Sequence, residues 1–195
     1  MSPREIEQAV KRCDRRRRWP WIVLCAVVVA MVIVGTRPIS IFPERGLKSD
    51  ALVTALAVIN AVKQFQMEND CLPAPTSAVQ GHDGDSDTGA SEGLILILKG
   101  EFQQAHSKSK DFLGELKEAR HVGSRILDGL WRSEDGIALY DPWGRLYLVC
   151  LDGDGDGFVA DPEHGGRLAQ MVIIWSAGRD GDPNTWKDNV KSWGP

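Results

Sequence analysis

The chain has 195 residues, 43% of them hydrophobic and 26% charged, with a net charge of −4. That length suits one domain with one core, and the acidic total argues against a nucleic-acid partner, whose phosphates would repel it. The charge is unevenly placed: residues 1–18 hold seven Lys/Arg against three acids, a net of +4, which leaves −8 for the remainder.

In chain order, Arg15-Arg16-Arg17-Arg18 leads into residues 19–36, which run 18 positions without an Asp, Glu, Lys or Arg. A helix of that length reaches roughly 27 Å, close to the about 30 Å of a bilayer core. Trp19 and Trp21 mark one edge as interfacial aromatics do, and no small-x-small cleavage site ends the run. The expectation is a single uncleaved transmembrane helix over 19–36 with a cytoplasmic basic tail over 1–18, and the rest of the chain outside.

Residues 37–47 (RPISIFPERGL) read as a linker, because Pro38 and Pro43 oppose helix and Gly46 adds freedom. The exported domain then covers 48–195. Ser49 or Asp50 can cap a helix running to about Glu68, in which Leu52, Leu56, Ile59, Val62 and either Phe65 or Gln66 recur at helical spacing, with Ala55 and Val58 widening the stripe. Residues 79–91 (VQGHDGDSDTGAS) are polar and Gly-rich, hence a loop. Gly93 to Gly100 holds a short apolar helix, and a helical turn follows near 115–120. Tyr147 to Leu151 and Ala169 to Ser176 read as two strands of an antiparallel hairpin, joined by the long acidic stretch 152–168.

That stretch fits D-x-D-x-D-G-x5-E from Asp152 to Glu163. A hard dication takes six to eight oxygens at about 2.3–2.6 Å, and alternate carboxylates on a tight loop supply them. Asp152, Asp154 and Asp156 open the loop, Gly157 permits the turn, Phe158 offers its carbonyl and Glu163 closes it. A solvated acidic turn fits the same residues. His82 to Asp87 imitates the opening but lacks the Gly and the closing acid, so a disordered polar insert is the preferred reading there. Four cysteines are present, Cys13, Cys25, Cys71 and Cys150, with no zinc spacing among them. Cys71 and Cys150 fall in the exported domain, where a disulfide and two buried free thiols are both compatible with the sequence. No nucleophile elbow, Walker loop, HExxH or dinucleotide fingerprint occurs, so the chain reads as no enzyme and no small-molecule substrate is implied.

The last third is the most specific part. Asp141-Pro142-Trp143-Gly144-Arg145-Leu146-Tyr147 is followed by Ser176-Ala177-Gly178-Arg179-Asp180-Gly181 and by Asp188-Asn189-Val190-Lys191-Ser192-Trp193. In that order these segments resemble the C-terminal half of the G-type major pseudopilins of type II secretion systems. The resemblance implies an α+β, pilin-like domain: an N-terminal helix packed on a small antiparallel sheet of three or four strands, with calcium-binding loops. It implies a calcium site at Ala177 (carbonyl), Asp180, Asp188, Asn189 and Ser192, with Asn189 standing where the family has a second acid. The helix end lying beside the strand, as in that fold, would bring Cys71 to Cys150. The implied protein is a structural subunit of a secretion or pilus-type assembly in the bacterial inner membrane, its main domain periplasmic and its partners other pseudopilin subunits. The N-terminus departs from the family, with no Gly at the leader junction and no Glu in the span. The alternative is a stand-alone calcium-dependent envelope binding domain.

Overall fold

The computed structural model describes residues 44–75, 83–91, 93–102, 110–114 and 116–194. The chain divides into residues 1–42 and 43–195. The expected tail 1–18 and span 19–36 lie outside the described residues.

Helix α1 occupies Glu44–Asn69. Ala51, Ala55, Val58, Val62 and Phe65 are buried, a stripe that repeats every three or four residues and so lies on one face. The buried face is turned from the one expected: Leu56 is 42% exposed, whereas Ala51 and Ala55 are fully buried. Small side chains there let the helix approach the sheet closely. The helix also starts earlier than expected, taking in 44–47. A proline just before a helix sacrifices no hydrogen bond, and Glu44 in the first turn suits the helix dipole. At the other end Asn69 Nδ2 donates to the Phe65 carbonyl at 2.8 Å, and Asp70 turns left-handed with φ 55°.

The remaining elements are short. They are β1 (Gly84–Asp87), α2 (Leu94–Leu98), β2 (Arg120–Val122), β3 (Arg125–Leu127), β4 (Gly129–Ser133) and β5 (Gly136–Tyr140). After them come β6 (Leu148–Leu151), β7 (Val159–Ala160), β8 (Arg167–Leu168), β9 (Val172–Ser176) and β10 (Val190–Lys191). The central sheet has the order β1-β6-β9-β10 and is antiparallel throughout, while β2-β3, β4-β5 and β7-β8 form two-stranded ribbons.

Both faces of this sheet are covered. Val149, Leu151, Val172, Ile174 and Val190 join Phe65, Leu94, Leu98 and Leu139 in the main core. The alternate residues Cys150, Ile173 and Trp175 face the other way, into a smaller cluster with Val159 and Trp193. Two buried faces explain why Val172 to Trp175 is continuously apolar rather than alternating. Tyr147 ties the layers together, its hydroxyl donating to the Ala51 carbonyl of α1 at 3.3 Å.

Several expectations are corrected here. The anticipated membrane helix with a pilin-like domain of three or four strands is not what the described residues show: among them, ten short strands in four sheets accompany α1 and α2. Among the described residues no helix is long and apolar enough to cross a membrane, and α1 carries charges along its length, including Lys48, Asp50, Lys63 and Glu68. The described residues therefore do not support the expected single-pass inner-membrane localisation. Part of the supposed loop 79–91 is strand β1, which gains its order from the ladder with β6 and from Thr88. The Thr88 hydroxyl donates to the Leu139 carbonyl at 2.7 Å and accepts the Tyr147 N–H at 3.0 Å. The helical turn expected near 115–120 gives way to a bridge at Glu118 and the start of β2.

Candidate functional site

The three C-terminal segments form one hydrogen-bonded unit. Asp141 is fully buried at the end of β5. Its Oδ1 accepts the N–H groups of Trp143 and Arg145 at 2.9 and 2.8 Å, which closes the D-P-W-G turn. Its Oδ2 accepts the Ser176 hydroxyl, and Ser176 Oγ in turn accepts the Gly178 N–H at 3.0 Å. Burial raises the Asp141 pKa above the usual carboxylate range, against the lowering effect of these donors.

Asp188 closes the next loop. Its Oδ2 accepts the N–H groups of Arg179 and Asp180 at 2.9 and 3.1 Å, and Asp180 Oδ1 accepts the Asp182 N–H at 2.9 Å. The two arms of the loop touch at Gly178 (φ +65°), where a Cβ would lie 2.6 Å from the Asp188 carbonyl oxygen. Only glycine fits such an approach. The Ala177 carbonyl accepts the Gly181 N–H at 3.2 Å. Asn189, next to Ala177 by the register Val190↔Ser176, donates from Nδ2 to the Pro183 carbonyl at 2.8 Å.

Asn189 Oδ1 is the telling atom: it is buried and has no hydrogen-bond partner among the described residues. A buried acceptor without a donor costs about 1–3 kcal/mol, and a cation or a water removes that cost. The resemblance places Asp180 and Asp188 in the same ligand set, and with Asn189 Oδ1 these residues offer oxygen donors only, the chemistry calcium takes. Ser192 lies three residues along the chain from Asn189, and its Oγ accepts the Ile174 N–H at 3.0 Å. Trp186 packs on the sheet, 6.3 Å from Trp175 and 5.9 Å from Trp193 between ring centroids.

No family model, curated protein or solved structure matches the chain.

The acidic stretch 152–168 is built differently from its motif. Asp152 accepts the N–H groups of Gly155, Asp156 and Gly157 at 2.7, 3.1 and 2.9 Å, the tight turn that Gly157 (φ 84°) allows. Asp154 accepts the Asp156 N–H at 3.1 Å. Asp156 pairs with Arg167, whose guanidinium also lies 4.6 Å over the Phe158 ring. Glu163, the expected closing ligand, instead pairs with Lys191 of β10. The third carboxylate near Asp152 and Asp154 comes from Asp83, at the head of β1, and oxygens of the three lie within 4.8 Å of one another. Sequence reasoning missed Asp83 because it assigned the whole segment to a disordered insert; only the β1–β6 ladder, Gly84↔Leu151, brings it there.

Cys71 is exposed, Cys150 is buried, and both are free thiols, which removes the suggested disulfide. Cys150 points into the smaller apolar cluster on the face of the sheet away from α1. Burial, with Asp85 beside it, pushes its thiol up to about 12.

Proposed function

We propose that this chain is a structural, non-catalytic protein of pseudopilin type, a subunit of a secretion or pilus-type assembly whose C-terminal loops are ordered by calcium. The observation that carries this reading is the unpartnered Asn189 Oδ1 inside a loop already drawn together by Asp188 and anchored through Ser176 to Asp141. All three segments behind the resemblance take part in that one unit. Asp180 and Asp188 hold the turn by accepting backbone N–H groups, and in this reading their remaining oxygens would coordinate the ion together with Asn189 Oδ1. A calcium ion there would neutralise two carboxylates and satisfy the buried amide oxygen at once. The second reading, a stand-alone calcium-dependent binding domain, draws on the Asp83, Asp152 and Asp154 group, which lies outside those segments.

Thermal melts of the full chain with calcium and with chelator test the calcium claim. An ion bound by the folded state alone adds roughly 2.7 kcal/mol at a hundredfold excess over Kd, and Asp180→Ala should abolish most of the gain. Superimposable curves for the parent would end this reading. Capture of the chain from its own cells should recover pseudopilin-type subunits in calcium but not in chelator. Recovery of none in calcium would move the assignment to the second reading.

A further inference from the structure

The placement of Glu163 gives the acidic stretch 152–168 a purpose that its motif does not suggest. Strand β10 is two residues long and sits at the edge of the central sheet, paired on one side by β9. Its own hold is Val190 in the main core and the bonds between Ser192 and Ile174 just beyond it, a small anchorage for an edge strand. Asn189 immediately precedes it, so the position of Asn189 Oδ1 relative to Asp180 depends on where β10 rests. Two groups from the 152–168 excursion secure that strand. Glu163 pairs with Lys191, with 16% and 24% of the respective side chains exposed. Val159, fully buried, packs with Trp193 and Trp175 in the smaller cluster, with Trp186 and Leu168 at its edge.

From this geometry we infer that the 152–168 excursion is a latch on the C-terminal calcium loop: Glu163 and Val159 pre-position β10, and so set the affinity of Asp180, Asp188 and Asn189 for calcium. The inference rests on the calcium reading proposed above. With the latch closed, the ion meets a loop whose ordering entropy has already been lost. With the latch open, part of the binding free energy must first order Asn189 to Trp193. Coupling of this kind is reciprocal, so bound calcium tightens the Glu163–Lys191 contact in return.

Calorimetric calcium titration of the full chain, with amide hydrogen exchange at Val190 and Lys191, tests this. Glu163→Gln and Lys191→Met should each bind calcium about tenfold more weakly than the parent, as loss of a part-buried ion pair implies. Both should exchange faster at Val190 and Lys191 without calcium. The double swap Glu163→Lys with Lys191→Glu should recover most of the affinity. If Glu163 were itself a calcium ligand the swap would recover nothing, and that result overturns the latch. Equal affinity of Glu163→Gln and the parent overturns it too, while leaving the calcium reading intact. A parent that binds no calcium overturns both, which separates the two failures.

Discussion

Replacing Asp141 by alanine should be the most damaging single change in the C-terminal half. The carboxylate is buried and accepts three donors: the N–H groups of Trp143 and Arg145 and the Ser176 hydroxyl. A donor left without a partner in a buried place costs about 1–3 kcal/mol. The two turn amides are only part-buried and can recover some hydration, and removal of a desolvated charge returns some free energy, so the lower end applies. A loss of roughly 3 kcal/mol follows, a large share of the about 5–15 kcal/mol that a domain possesses. Asp141→Asn keeps the acceptor for both turn amides and should lose only about 1 kcal/mol. The two variants also differ from the parent in pH response. The raised Asp141 pKa means that the folded state keeps a proton which the unfolded state releases in the ordinary carboxylate range. Between those two values the folded state binds more protons, so this group's contribution to stability falls as pH rises through the window. The asparagine variant lacks that slope. Urea denaturation of the full chain across the acidic range measures both effects. An alanine variant within about 0.5 kcal/mol of the parent would show that the Asp141–Ser176 junction does not hold the unit together.

Asn189→Asp places a second acid beside Asp188 but gives up the bond to the Pro183 carbonyl. It should therefore lower stability in chelator by about 1 kcal/mol and enlarge the calcium-induced gain, a crossing that paired thermal melts would reveal. Failure of the gain to grow would argue that Asn189 Oδ1 does not face the ion. Asp83→Asn removes one of three converging carboxylates. Without a cation it should stabilise slightly by relieving like-charge repulsion, and with a cation at Asp152 and Asp154 it should destabilise instead, so the sign of the change in calcium decides whether that group holds metal.

The existence of helix α1 could be read from sequence because apolar residues recur at helical spacing, though not which of its faces is buried, and strands β6 and β9 could be read because two covered faces require uninterrupted apolar runs. What escaped were elements whose order comes from distant partners. Gly84–Asp87 has the composition of a loop, since Gly and Asp are poor strand formers, and it is a strand only because β6 offers a ladder. The β2-β3 and β4-β5 ribbons did carry short-range signals, Gly123-Ser124 and Glu134-Asp135 followed by Gly136, at two-residue turns that went unused. In the candidate site the loop of Asp180, Asp188 and Asn189 was visible as a motif. The diversion of Ser192 to Ile174 and of Glu163 to Lys191 was not, because a side chain's strongest available partner is fixed by register and not by spacing along the chain.

The contrast between the two described thiols turns the molecule into its own chronometer. An alkylating reagent needs thiolate and access, and Cys150, held to about 12 within the smaller cluster, supplies neither while that cluster is closed. Cys71, exposed just beyond the end of α1, is modified at once and registers the reagent dose. Cys150 shares its cluster with Val159, Ile173, Trp175 and Trp193, so its rate of modification counts how often that cluster opens. Peptide-resolved labelling over time would thus give an opening frequency for one side of the sheet, without any engineered probe.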